Sequence, residues 1–398
     1  MLYLAIDQHR KQLTVNLRNE AGDVILKRQV STEWARVREF LADVRGIGCP
    51  EGGVVVILEV CGLNEWLLKL LAEYGYPSVV LVQPEKRDRH KTDRRDANAL
   101  GELLWTNRQR LATGKKVQNV RQIVPPSPRD GEDRQLTTLR HRLCQLRTRT
   151  INRVQHLLLK HNLQRDCPTK GVKTQAARQW LTGLRLGAID RLELDHLLAQ
   201  WELLDKQLEE LEVKLTERQA ENAAAVLIST IPGAGAYGSL ALACRIGSIE
   251  RFPHADSLAK YWGLTPRSNN SGDAKQRLGS ITKEGSALAR FILGQMVLHV
   301  LRRDSAMKEW YRRIKKRRRS KIARVAVMRR LATIIWHMLQ RKQRYHLCQS
   351  SDPAAACATV PLDVNAFLKV SQGRSKEEKK KAAATGKAPA AKASLTRP

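Results

Sequence analysis

The chain has 398 residues, 42% of them hydrophobic, with 71 Lys and Arg against 39 Asp and Glu and a formal net charge of +32. That length accommodates two or three buried cores, and the charge predicts a polyanionic partner, nucleic acid before a membrane surface. A spanning helix is excluded by the lack of any apolar run near the roughly eighteen residues it needs, and a signal peptide by the acid in "MLYLAIDQHR".

The seven cysteines form no C-x-x-C pair and the ten histidines no H-E-x-x-H pattern, so disulfide and zinc frameworks are not indicated and acids are the plausible metal ligands. Reduced thiols and the missing signal fit a cytosolic protein.

Residues 2–8, 12–18 and 23–30 are β-rich runs joined by tight polar turns, predicting an antiparallel meander. A helix is expected at 32–46, where Trp34, Val37, Phe40, Leu41 and Val44 recur at helical spacing. "GGVVVILEV" reads as a central strand covered on both faces, "GLNEWLLKLLAEYG" as a helix ending at Gly75, and "SVVLVQ" as a fifth strand before a helix carrying Asp93 and Asp96. Three antiparallel strands followed by α, β, α, β, α is the order of an RNase H or RuvC-like fold, assigned to residues 1–125. Residues 113–133, with "VPPSPRDGED", read as a linker.

From 131 to 222 two heptad helices of opposite charge are expected. One carries Leu136, Leu139, Leu143 and Leu146 among arginines; the other carries Leu197, Trp201, Leu204, Leu208, Leu211 and Leu215 among acids. They should pair, within the chain or between subunits, as a coiled-coil arm or an ordinary core hairpin. A mainly helical domain at 223–345 opens with "LISTIPGAGAYGSLALACRIG". Its glycines lack the G-K-[ST] ending of a phosphate-binding loop. Gly233 and Gly235 allow a close turn, either a helix-hairpin-helix element holding phosphates by backbone N–H groups or a plain αα-hairpin.

Residues 312–330 contain no acid; with Ile314, Ile322, Val325 and Leu331 they predict a helix with an apolar seam and a basic surface that includes Lys315, Lys316, Arg317, Arg318 and Arg319. Residues 346–398 are a Lys/Ala/Pro-rich basic tail, expected to be disordered.

Four acids do not suit a purely binding surface. Asp93 and Asp96 are i and i+3, hence on one helix face, either as a capping pair at a helix start or as ligands. Asp7 lies in the first strand and Glu59 near the end of the fourth; in the expected fold these strands are neighbours and the last helix crosses their ends. Like charges within about 4 Å repel by on the order of 4 kcal/mol at an effective dielectric near 20, so a convergent tetrad requires protons or cations. Oxygen ligands suit Mg²⁺, and two ions about 4 Å apart would clamp both oxygens of a phosphodiester exchange.

"AIDQH", "LEVCG" and "KTDRRDANAL" resemble the DEDD tetrad of the IS110 family of insertion-sequence transposases, and "IPGAGAYGSLALACRIGSIERF" with "LAKYWGLTPRSNNSGDAKQRLGSITKEGSALAR" resembles that family's second, transposase-type domain. The resemblance implies a recombinase acting on donor and target DNA, guided by a structured non-coding RNA, working as a dimer or tetramer. It implies metal ligands Asp7, Glu59, Asp93 and Asp96 and a serine nucleophile, Ser271, that forms a phosphoserine link. By composition "SNNSG" is simply a turn; Arg267, Lys275, Arg277 and Lys283 around it suit a phosphate, and Ser268, Ser280 and Ser286 are rivals. Two other readings stay open: a RuvC-like endonuclease that hydrolyses with water, and a non-catalytic nucleic-acid-binding protein.

Overall fold

A computed structural model describes residues 1–47, 53–76, 78–83, 93–268 and 278–345, apart from the side chains of residues 93–95, 268 and 278. The chain divides into two compact units, Met1–Pro125 and Pro126–Pro398.

In the first unit the described order is β1 (Leu2–Gln8), β2 (Gln12–Arg18), β3 (Val24–Ser31), α1 (Trp34–Gly46), β4 (Val54–Glu59), α2 (Asn64–Glu73), β5 (Ser78–Gln83), α3 (Asp93–Thr106), α4 (Arg108–Ala112) and β6 (Arg121–Ile123). The strands form one mixed sheet in the order β3-β2-β1-β4-β5-β6. β1 pairs antiparallel with β2 and parallel with β4, which pairs parallel with β5. The meander and the central β1–β4 neighbourhood are therefore as the sequence predicts.

Every residue of β1 is buried because both faces of the sheet are covered. Successive side chains of a strand point to opposite faces, and the two sets separate cleanly. Leu4, Ile6, Val15, Val56 and Leu58 pack with Val37, Phe40 and Leu67 of α1 and α2. Tyr3, Ala5, Ile57, Val80 and Val82 pack with Leu100 and Leu104 of α3. A fully buried side chain of this size contributes roughly 1.5–3 kcal/mol, so the two layers fix which face each strand residue presents.

The linker expected at 113–133 begins where α4 ends, but it is corrected in its middle and at its C-terminal end. β6 adds antiparallel to β5, three residues too short and polar for any periodicity to show. The first helix of the second unit, α5, already starts at Pro128: Ser127 Oγ accepts from Asp130 N at 3.1 Å and donates to Asp130 Oδ2 at 2.7 Å. Ser, then Pro at N1, is a helix-start signal that the turn-rich composition concealed.

The second unit continues from α5 (Pro128–Lys160) through α6 (Gln175–Thr182), α7 (Ala188–Ala220), α8 (Ala223–Ser229), α9 (Ala236–Ile246) and α10 (Ala255–Tyr261). The hairpin β7 (Pro266–Ser268) and β8 (Leu278–Ile281) follows, then α11 (Ala287–Arg303), α12 (Ser305–Arg318) and α13 (Ser320–Arg341). α5 and α7 pair antiparallel within the chain, roughly 50 Å long at 1.5 Å per residue, laced by Arg140–Glu212 at 2.7 Å, Arg147–Asp205 at 3.1 Å and Lys160–Asp190 at 2.7 Å. Opposite charge on the two helices thus appears as complementary rungs.

The apolar seam expected on α5 is not its buried stripe: Leu139 and Leu146 are 46% and 42% exposed. The stripe instead begins with Asp133 and Thr137 and continues past Arg140 and Arg147 to Ile151, Val154 and Leu158. Hydrophobic counting cannot find a seam whose first half is made of paired charges. The acid-free run is also two helices, α12 and α13, broken at Arg319, whose φ of 71° lies outside the helical region. Among the described residues no helix is long and apolar enough to cross a membrane.

Candidate active site

β1 and β4 run parallel in a register that ends with Ile6 opposite Leu58. The next residues on the two strands are Asp7 and Glu59. Both are two positions beyond residues that contact α3, Ala5 and Ile57, so both carboxylates belong to the α3 face, on strands about 4.8 Å apart. Asp7 is 7% exposed, and its Oδ2 lies 3.1 Å from His9 Nε2. Glu59 is half-buried.

Buried amides hold this strand end. Asn64, at the start of α2, donates to the Glu59 carbonyl at 3.1 Å and to Gln8 Oε1 at 3.0 Å. Gln8 Nε2 in turn donates to the Leu63 carbonyl at 2.8 Å. Residues adjoining the two acids are thereby tied to each other across the sheet. His9, Gln8 and Asn64 were not singled out from sequence; only "D-x-H" on one strand, placing His9 on the face of Asp7, offered a signal.

α3 descends β2 in steps that match the two rises. Trp105 Nε1 donates to the Glu20 carbonyl at 3.1 Å, Glu102 pairs with Arg18 at 2.8 Å, and Asn98 Oδ1 accepts from Asn16 Nδ2 at 2.6 Å. Four helical residues rise about 6 Å and two strand residues about 6.6 Å, so helix and strand stay in step. Gly101 makes the approach possible, since a Cβ there would lie 2.6 Å from Asn16 Oδ1. One further turn brings the start of α3, Asp93 to Asp96, to the level of Thr14, the cross-strand partner of Asp7. Consistent with that level, Ala97, Asn98 and Thr14 line one cavity of about 430 Å³.

Asp7 and Glu59 thus share a face and a strand end, and the first turn of α3 extends toward it. Asp96 is half-buried; the side chain of Asp93 lies outside the described residues. Among the described residues no three His, Cys, Asp or Glu side chains stand close enough to hold one metal ion. The acids that share this face, Asp7 and Glu59, offer carboxylate oxygens, the donors Mg²⁺ favours.

In the second unit, Ser271, Lys275 and Arg277 lie outside the described residues. Flanking them, β7 and β8 pair antiparallel. Arg267 and Lys283 stand exposed at this hairpin, Arg267 donating to the Thr282 carbonyl at 3.2 Å. Of the rival serines, Ser280 is exposed in β8, whereas Ser286 Oγ caps α11 by accepting from Ala289 N at 3.1 Å. Lys315 to Arg319 are all exposed.

The close approach expected at Gly233 and Gly235 holds for Gly233 alone. Gly233 has φ +87° and a Cβ there would meet His299 at 2.7 Å, whereas nothing lies within 4 Å of one at Gly235. The tight contact at this turn is with the protein's own α11. Arg245 of α9 is likewise no surface cation: buried, it donates to Thr137 and Thr138, each at 3.0 Å, and burial lowers its pKa.

Comparison with known proteins gives this arrangement its class. A family model described as "Transposase IS116/IS110/IS902 family" matches residues 225–312, and a DEDD model of the same IS110 group, described as "Transposase", matches residues 4–162. The chain is 27% identical over 340 residues to the transposase for insertion sequence element IS1111A of Coxiella burnetii, covering 82% of this chain and 86% of that protein. It is 25% identical over 343 residues to a probable family 20 transposase of Pseudomonas aeruginosa, covering 81% and 92%. The transposase for insertion sequence element IS1328 of Yersinia enterocolitica is 23% identical over 348 residues, covering 84% and 95%. Its class is that of the insertion-sequence transposases, and within them the chain belongs to the IS116/IS110/IS902 family.

Proposed function

We propose that this transposase excises and inserts DNA by metal-assisted strand cleavage and exchange in a RuvC-like domain, with Asp7, Glu59, Asp93 and Asp96 as the ligand set and Ser271 as nucleophile. The observation that carries the reading is the β1–β4 register, which sets two acids side by side on the α3 face. Carboxylates at neighbouring positions repel, and a hard divalent cation relieves that repulsion. When bound, Mg²⁺, as two ions, would supply electrophilic stabilisation of the phosphodiester oxygens.

The residues do the rest. Asn64 and Gln8 hold the two strand ends, and Asn98 and Gly101 hold α3 against them. The Ser271 hydroxyl attacks phosphorus, losing its proton as the new P–O bond forms; the P–O bond to the departing strand end breaks and that end leaves as a hydroxyl. Attack by a second hydroxyl end on the phosphoserine reverses the step, so the phosphodiester is conserved and no nucleotide hydrolysis is needed. Arg267, Lys275, Arg277 and Lys283 would neutralise the phosphate, and Lys315 to Arg319 with the basic tail at 346–398 would engage the nucleic-acid backbone. Gly233 and Gly235 would offer backbone N–H groups to a phosphate in a helix-hairpin-helix-like turn.

On this reading 1–125 is the acid-bearing domain, 131–222 a coiled-coil arm, 223–345 the serine-bearing domain, and the partners are donor and target DNA, a structured guide RNA and further copies of the chain in a cytoplasmic dimer or tetramer.

Incubation with labelled element-end DNA and Mg²⁺, followed by denaturing electrophoresis, tests it. The expected product is a protease-sensitive protein–DNA band, absent from Ser271→Ala and retained in Ser268→Ala. Cleaved DNA with no such band at any time would assign the reaction to hydrolysis by water. No cleavage under any divalent ion, with binding intact, would leave only a nucleic-acid-binding protein.

A further inference from the structure

A cavity of about 340 Å³ lies in the second unit between the start of α12, the second half of α13 and the residues after it. α13 gives it one helical face: Arg330, Ile334, His337, Met338 and Arg341 recur at helical spacing along its wall. α12 contributes Ala306 and the buried Met307.

The remaining wall is made by the return of the chain after α13. Lys342 adopts a left-handed φ of 53°, a conformation that side-chain-bearing residues seldom take. It turns the backbone so that Gln343 N donates to the Met338 carbonyl at 3.0 Å. Tyr345 pins the return, donating through N to Thr230 Oγ1 at 3.0 Å and through its hydroxyl to Asp304 Oδ2 at 2.7 Å. The return carries Arg344 into the lining, where its Nε is buried and has no hydrogen-bond partner among the described residues. A buried donor without a partner calls for an explanation, and a bound group that accepts from it is one.

The chemistry of the lining has two halves. Arg330, Arg341 and Arg344 line the cavity with a single acid, Asp304, whose oxygens are engaged by Tyr345 OH at 2.7 Å and by Met307 N at 2.8 Å; the Arg330 guanidinium also lies over the Trp310 ring, 4.9 Å from its centre. That half suits a phosphate, for which guanidinium forks are the preferred partner. Met307, Ile334 and Met338 make the other half apolar, and thioethers make favourable contacts with aromatic rings. A nucleotide joins these two chemistries, a phosphate and a flat ring. Small-ligand sites run roughly 300–1,000 Å³, so this volume admits one nucleotide and no base pair.

We infer that the α12–α13 cavity takes up one unstacked nucleotide of a single-stranded segment of the transposase's nucleic-acid partner. Bases stacked in a duplex cannot enter; bases in loops, bulges and displaced strands can. The inference stands on this cavity alone and does not depend on the acid pair or on Ser271.

Calorimetric titration of the full-length protein with adenosine 5′-monophosphate, deoxyadenosine 5′-monophosphate, adenosine and inorganic phosphate tests it, because the readout is binding and not cleavage. The expected result is saturable uptake of one monophosphate per chain, at least tenfold tighter than adenosine or phosphate alone. Ala306→Trp, which fills the mouth and keeps every cation, and Arg344→Gln should each weaken it at least tenfold with an unchanged melting temperature. A tenfold preference for the ribonucleotide assigns the cavity to RNA, and equal affinity assigns it to strands of either sugar. Phosphate bound as tightly as the nucleotide, undiminished binding by Ala306→Trp, or no binding to the wild type would each overturn the inference.

Discussion

The side-chain amide of Asn16 on β2 donates to that of Asn98 on α3 at 2.6 Å, with Asn16 fully buried. This bond joins the sheet that carries Asp7 to the helix that begins at Asp93. Asn98→Ala leaves a buried donor unsatisfied, a loss of roughly 1–3 kcal/mol, and frees the first turn of α3. A lower urea midpoint is expected, together with a fall in strand cleavage and unchanged affinity for DNA. An unaltered midpoint would mean that the bond does not hold the helix.

The α5–α7 pair is secured at its base by a buried charge. Asp133 is fully buried and receives Arg218 Nε at 2.7 Å. Arg218→Leu strands that carboxylate, and removal of one partner from a buried pair costs roughly 3–5 kcal/mol. Asp133→Asn, which removes the charge itself, should cost less. Chemical denaturation of both variants checks the order; equal losses would contradict it.

His141 lies edge-on to Phe291 at 5.0 Å, and burial, with the nearby Arg140 and Arg245, lowers its pKa from the ordinary imidazole value. The unfolded chain therefore takes up a proton near pH 6.5 while the folded chain still refuses it. Stability is full above that pH and declines as pH falls through the window beneath it. His141→Gln should flatten this part of the profile; an identical slope would assign the decline to other groups.

Lys315, Lys316, Arg317, Arg318 and Arg319 are exposed at the end of α12 and the break before α13. If about eight phosphates are engaged in all, log affinity against log salt should have a slope near −7 on duplex DNA. Replacing the five by Gln should make the slope shallower by up to about 4.5. A slope unmoved by the change would place the backbone contacts elsewhere.

The sheet order was legible because β1 and β4 are continuous apolar runs and the helices that cover them have clean stripes. The α5 stripe was not, because Asp133, Arg140 and Arg147 face partners on α7, and a pattern of hydrophobicity cannot register paired charges. β6 escaped because three residues have no measurable period. At the candidate site, the four acids stand out in the sequence as misfits in a cationic chain. The amides that brace the strand ends and α3, Gln8, Asn64, Asn16 and Asn98, do not, since a buried Asn or Gln looks like any surface one until its partner, 56 or 82 residues away, is known.

Divalent-ion dependence carried by Asp7 and Glu59 separates metal-assisted strand cleavage from the other readings. Its most direct measurement is the cleavage rate of labelled element-end DNA against Mg²⁺ concentration for wild type, Asp7→Asn and Glu59→Gln, with melting temperature and DNA affinity measured alongside. Wild type should cleave only with the divalent ion, and both variants should be inactive at every concentration while melting and binding like wild type. Cleavage by wild type in excess chelator, or wild-type rates from Asp7→Asn, would show that these acids do not act through a divalent ion.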